Sequence, residues 1–156
     1  MKTIGNFVWF IFLGGLVSAL LWFLFGAIMA VTIIGLPVAY AAFRIGRFAA
    51  FPFGKELIDA RLLGEKRILG TTLINVLWFV LAGLWLAIAH VILAMACIAS
   101  CVLIIPLLLG APAWALAHLR LARVSLAPLG KRVVPIELAS EIRKQQFNAR
   151  LNARGT

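Results

Sequence analysis

The chain has 156 residues, 64% of them hydrophobic and only 13% charged, with a net charge of +10. A soluble globular domain is about 45–50% apolar and about 25% charged, so too little polar side chain is present here to coat a water-soluble exterior. The length excludes two conventional domains, and one compact membrane domain is the economical reading.

Lys2 precedes a run, residues 4–43, that contains no Asp, Glu, Lys or Arg. Its opening, residues 7–16 followed by Val17-Ser18-Ala19, has the look of a secretory signal with a cleavage site. Two facts oppose that reading: the apolar run continues past Ala19, and its opening recurs deep inside the chain. One crossing needs about 20 apolar residues, so the run is long enough for two. A basic segment comes next, with Arg44, Arg47, Lys55, Arg61, Lys66 and Arg67; its linker has an apolar face at Leu57, Ile58, Leu62 and Leu63, broken by Gly64. A second uncharged run spans residues 68–119, again long enough for two crossings. Arg120, Arg123, Lys131, Arg132, Arg143, Lys144, Arg150 and Arg154 come after it. In the tail, Glu137 and Glu141 precede Arg143, Lys144 and Arg150, a polarity that suits a helix dipole and predicts a short cytoplasmic helix over 135–150.

Basic segments stay in the cytoplasm. All 15 Lys and Arg lie outside the two apolar runs, so each run crosses an even number of times. The predicted fold is an all-α membrane protein of two tandem helical-hairpin repeats, about four transmembrane segments with short interfacial helices and both termini cytoplasmic. Its divisions are a first membrane repeat at 4–58, a cytoplasmic linker at 59–72, a second repeat at 73–134 and a C-terminal tail at 135–156. Basic flanks of apolar runs are the ordinary mark of topology, so no nucleic-acid partner is expected. The outward turns fall near 21–26 and 90–94. Either the first hairpin crosses fully with a kink at Pro37, which is favoured, or it is re-entrant and needs other protein to cover it.

The two halves repeat each other. Asn6-Phe-Val-Trp9-Phe10 recurs as Asn75-Val-Leu-Trp78-Phe79, with Gly14 matched by Gly83. Arg44-Ile-Gly-Arg47 recurs as Arg120-Leu-Ala-Arg123, and Pro52-Phe-Gly54-Lys55 as Pro128-Leu-Gly130-Lys131. The second copy is longer between these anchors, where Leu103-Ile104-Ile105-Pro106 stands against Ile33-Ile34-Gly35-Leu36-Pro37. Arg44 and Arg47 share a helix face, as do Arg120 and Arg123. With Phe43, Phe48 and Phe51 nearby, they suit contact with lipid phosphates at the cytoplasmic interface; snorkelling arginines at a helix end would read the same way. The order and duplication of Asn6, Trp9, Ile33 to Pro37, Pro52-x-Gly54, Asn75, Trp78, Gly83, Pro128, Gly130 and Val133-Val134 resemble the bacterial YccF-type inner-membrane component domain family, over nearly all of residues 6–134. The resemblance implies an inner-membrane location and this architecture, and no mechanism.

Polar side chains within the runs are Asn6, Ser18, Thr32, Asn75, His90, Cys97, Ser100, Cys101 and His118. His90 is the strongest functional candidate, with Asn6 and Asn75 beside it. His90, Cys97 and Cys101 would form one stripe on an unbroken helix, but about 16 Å of helix is too far for one metal to touch both ends, and no metal or cofactor is expected. The five carboxylates all lie in basic segments, and no nucleophile elbow, phosphate loop or zinc-ligand spacing is present. The expectation is a non-enzymatic structural or accessory membrane component, working as a homo-oligomer or with a membrane-protein partner and touching membrane lipid. The alternative is an oligomeric channel or small-solute transporter lined by Asn6, Asn75 or His90. Small residues at Gly14, Gly15, Ser18, Ala19, Gly26 and Ala30 serve either internal packing or assembly, and assembly is favoured because a four-helix unit of short segments has little interior of its own.

Overall fold

The computed structural model describes residues 2–66, 70–103 and 110–153. Arg67, Arg154 and the Ile104-Ile105-Pro106 motif lie outside the described residues.

Helix α1 (Lys2–Phe12) buries Trp9 and exposes Ile4, Phe7 and Ile11, spaced along one face. It stops before Gly14, whose φ of +82° is left-handed backbone that a residue with a Cβ adopts at a cost. The chain then bends by 70° into α2 (Gly15–Ala30). Gly15, Ser18, Ala19, Trp22 and Gly26 form the buried face of α2. A Cβ at Gly26 would come within 2.8 Å of the Phe43 ring, so the glycine lets α2 and α3 (Leu36–Ala50) pack closely. Most of the small-residue stripe, Gly15, Ser18, Ala19 and Gly26, is thus spent inside the chain, while Ala30 stays exposed.

Two placements of the expected turns need correction. Residues 21–26 lie inside α2, and the chain turns at 31–35. Thr32 fixes that turn: its Oγ1 donates to the Met29 carbonyl at 3.3 Å and accepts from the Gly35 N–H at 3.0 Å. Pro37 sits in the first turn of α3, where its missing N–H would have had no intrahelical partner, so it starts a helix and kinks none. Likewise residues 90–94 lie inside α5, and the chain turns only after Ser100. An apolar run carries no local stop signal, so the turn follows hydroxyl and glycine chemistry at the run's far end.

The second half runs through α4 (Thr71–Trp78), a π turn (Phe79–Gly83) and α5 (Leu84–Ser100). Helix α6 (Ala111–Leu126) packs back on α5 as α3 packs on α2. The shared core contains Trp9, Trp22, Phe48, Trp78 and Leu121. Among the described residues one unbroken stretch, Thr71–Ser100, is long and apolar enough to cross a membrane; α1 with α2 passes the same test as a bent pair.

The chain is mostly helical but not all-α. Strands β1 (Lys55–Asp59) and β2 (Lys131–Pro135) form an antiparallel ribbon, and α7 (Ile136–Asn152) comes directly after it. Each strand begins just after a glycine with positive φ, Gly54 at +91° and Gly130 at +80°. Leu57 pairs with Val133, its counterpart under the shift that carries Gly54 to Gly130, and Lys55 and Asp59 pair with Pro135 and Lys131. The ribbon therefore has a local twofold axis at Leu57 and Val133. The expected boundary between Ile58 and Asp59 falls within β1. Ile58, Val134 and Ala139, with Ile142, make a small second core under α7.

Candidate functional site

Asn6 and Asn75 do the same work in the two halves. Asn6 accepts the Phe53 N–H at 2.9 Å and donates to the Phe53 carbonyl at 3.1 Å. Asn75 accepts the Leu129 N–H at 3.1 Å and donates to the Leu129 carbonyl at 3.4 Å. Phe53 and Leu129 occupy equivalent places in the two Pro-x-Gly segments. One turn further along, the Trp9 indole donates to the Ala49 carbonyl at 2.7 Å, and Trp78 donates to Ser125 at 2.8 Å. An amide side chain that offers both a donor and an acceptor can replace a strand neighbour for a backbone pair, so each asparagine clips the helix that opens its half to the segment just after the return helix.

His90 on α5 meets His118 on α6 through Nδ1 atoms 3.2 Å apart, and both rings are buried. His118 Nε2 lies 3.2 Å from the Leu13 carbonyl. A carbonyl only accepts, so His118 carries its proton on Nε2, and its Nδ1 accepts from the His90 Nδ1–H when both rings are neutral. The Leu13 carbonyl is available because the helix stops before Gly14. The His118 ring also lies against Trp9, with centroids 4.5 Å apart. His118, present in the polar inventory but not singled out, is thus the member that ties the halves together; its sequence signal, one His in an apolar run, is no different from that of His90. His90 and Cys97 lie on α5, with Cys101 as the residue just beyond its end, and the Cys101 thiol approaches the Cys97 carbonyl at 3.4 Å. Among the described residues no group of three or more His, Cys, Asp or Glu is placed to hold a metal ion.

The arginine pairs are not equivalent. Arg47, Arg120 and Arg123 are exposed, whereas Arg44 is half-buried between the halves. Its Nη1 donates to the Lys131 carbonyl at 2.6 Å, and its guanidinium lies 4.7 Å from the centre of the Tyr40 ring. A cleft of about 380 Å³ opens beside it, walled by α3, the ribbon, Asn75 and the segment after β1. Asp59 pairs there with Arg61 at 2.9 Å and Lys131 at 3.6 Å. The hydrogen bonds from Arg61, with Lys131 adding its charge, hold the Asp59 carboxyl at about 2. Glu65 takes both sides of the Arg132 guanidinium, with Nε to Oε1 at 2.6 Å. Tyr40 stands one turn before Arg44 on α3, a pairing that helix spacing makes legible, whereas Lys66, Lys131 and Arg132 come to the same cleft only through the packing of the ribbon and the segment after β1.

The chain matches the family described as inner membrane component domain twice, over residues 4–55 and 73–131. It is 32% identical to the Inner membrane protein YccF of Escherichia coli (strain K12) over 155 residues, covering 96% of this chain and 97% of that protein. The similarity to the Inner membrane protein YccF of Shigella flexneri has the same extent. No solved structure matches. The two family matches begin at the duplicated Asn-x-x-Trp helices and end at the duplicated Gly-Lys positions, the same segments that the paired asparagine and tryptophan bonds hold. The chain belongs to the YccF family of inner membrane component domains.

Proposed function

We propose that this protein is a non-enzymatic structural or accessory component of the bacterial inner membrane, acting as an oligomer. One observation carries the reading: the candidate polar side chains of the apolar runs, Asn6, Asn75 and His90, are consumed in internal ties. Asn6 and Asn75 clip backbone segments, and His90 and His118 bond each other and Leu13. A pore or transport path needs such groups turned toward water or a solute. The channel alternative loses the residues that motivated it.

In this reading the chain is a duplicated unit, with α2/α3 and α5/α6 as two hairpins of four membrane-embedded helices opening on the cytoplasmic side. The paired hydrogen bonds and the twofold register of the ribbon support the duplication. The basic residues of the ribbon and α7 support cytoplasmic termini. The return helices favour hairpins that turn inside the bilayer over the full crossing expected from sequence, although Thr71–Ser100 by itself is long enough to cross. Arg44 lies about 12 Å of helix beyond Leu36, and Arg120 about 14 Å beyond Ala111, against a hydrocarbon core of about 30 Å. The turns carry bare apolar side chains, with Val31 86%, Ile33 87% and Val102 87% exposed. Irregular backbone at such depth must be covered by protein, which is the argument for a second copy. Arg47, Arg120 and Arg123 then face lipid phosphates at the cytoplasmic surface.

Two measurements test this. Purified protein in liposomes should pass neither ions nor small solutes; a protein-dependent flux above empty vesicles would sink the structural reading. Single cysteines at Ile33 and Val102, in the Cys97→Ala, Cys101→Ala background, should resist a membrane-impermeant thiol reagent from both sides. Labelling from the periplasmic side would restore full crossing.

A further inference from the structure

The cleft beside Arg44 holds more positive charge than the protein uses. Arg61 and Lys131 share Asp59, and Arg132 is matched by Glu65. Arg44 and Lys66 also line the cleft and form no ion pair among the described residues. Arg44 is held in place by the Lys131 carbonyl and the Tyr40 ring. A guanidinium has five N–H donors, and this arrangement leaves some of them for a ligand. A half-buried arginine that forms no ion pair of its own, with Glu65 acting on it only at a distance, is costly to keep, and a planar, preorganised guanidinium is the side chain best suited to a phosphate. The cleft volume of about 380 Å³ lies within the range of small-ligand sites, about 300–1,000 Å³.

We propose that this cleft binds the phosphate group of an anionic ligand, with Arg44 and Lys66 as its cationic contacts. The walls are two-sided. Pro37, Tyr40 and Ala41 line the part of the cleft toward the hairpin turn, and the charged side chains line the part at the ribbon. A ligand with an anionic head and an apolar body, an anionic phospholipid, uses both walls; a soluble phosphate ester uses only one. Such a ligand bridges α3 of the first half, the ribbon strand of the second and the segment between them. The proposal rests on the reading of the protein as a membrane component whose basic face is cytoplasmic, and it sharpens that reading to one site.

The test uses the full chain in a nonionic detergent. Native mass spectrometry tracks titration with phosphatidylglycerol, with phosphatidylcholine, and with inorganic phosphate as competitor. Saturable binding of phosphatidylglycerol is expected, at least tenfold tighter than phosphatidylcholine. Arg44→Ala should weaken it about tenfold, the loss of one charge-assisted contact. Lys66→Gln, at an exposed position outside the core, should weaken it about threefold. Lys144→Gln, at an exposed position on α7 away from the cleft, should change it less than twofold. Displacement by millimolar phosphate, with no advantage for the lipid, would uphold the phosphate site and assign it to a soluble ligand. Equal weakening by Arg44→Ala and Lys144→Gln, no effect of Lys66→Gln, or equal binding of the two lipids would overturn the site. The oligomeric state of each sample is read in the same spectra. Lost selectivity in an intact oligomer defeats the cleft alone; a monomer that still selects phosphatidylglycerol defeats the oligomer reading alone.

Discussion

The two halves reach the same contacts by different backbone routes. In the first, α1 stops and the chain swings through 70° at Gly14 before α2 begins. In the second, α4 continues into α5 through a π turn, with Gly83 in ordinary helical backbone at φ −61°. Yet Trp9 and Trp78 donate to equivalent carbonyls, and Asn6 and Asn75 clip equivalent backbone pairs. A π turn inserts one residue into a helix and rotates the helix beyond it; a glycine break redirects the chain more steeply. The constant between the halves is the satisfaction of a buried indole N–H and a pair of backbone groups, because leaving one unmade costs about 1–3 kcal/mol. The path between anchors is free to vary as long as those bonds close. The second half then adds a tie that the first lacks: His118 stands where the first half has Ala42, and it bonds the carbonyl that the first half's break exposes.

The largest effect should come from the anchors. Trp9→Ala and Trp78→Ala each remove a fully buried ring and a donor, and each should lower stability by about 3–5 kcal/mol, measured by denaturant unfolding in detergent. If one costs several times the other, the two halves do not share a structural role. Glycine substitutions probe the difference in route. Gly83→Ala brings a Cβ to 2.6 Å from the Ser125 carbonyl and should cost about 1–3 kcal/mol by overpacking. Gly14→Ala has room, with nothing nearer than 3.7 Å, but must hold left-handed backbone, at about 1–2 kcal/mol. Gly14→Asn should therefore recover part of the Gly14→Ala loss, and Gly83→Asn should recover none.

The tie between the halves should be worth less than an anchor. His118→Leu leaves the Leu13 carbonyl and His90 without their partner and should cost about 1–3 kcal/mol. His90→Leu added to it should cost less than the sum of the single changes, because the two share one network; strict additivity would show that the rings do not bond. The smallest effect lies at the ribbon. Asp59 is held at about 2 against an ordinary 3.8, so its contribution is complete above about pH 4 and is lost as pH falls toward 2. The pairs are partly exposed, so the change should be under about 1 kcal/mol. Asp59→Asn should flatten the acid limb of the stability curve, and an unchanged limb would place the acid sensitivity elsewhere.

Charge and hydropathy sufficed for the class, because a bilayer component must be apolar in long uncharged runs. The two segments that match the family were equally legible, since Asn6 and Asn75, or Pro52 and Pro128, are matched letter by letter. Helix caps and turns were less so: Thr32 and Gly35 place the first turn, but an eye set on the middle of the run looks too early, at 21–26. The strands were hidden because Lys55 to Asp59 alternates poorly and reads as an amphipathic linker. They become strands only because Lys131 to Pro135 offers a complementary edge, and an unpaired strand has no hydrogen bonds of its own. The same holds for the polar residues. The sequence marked Asn6, Asn75, His90 and Arg44 as unusual for their surroundings. Whether each was a ligand, a pore lining or a tie depended on the carbonyl, ring or cavity that faced it, and those partners come from remote segments that only the packed helices and the ribbon bring within about 3 Å.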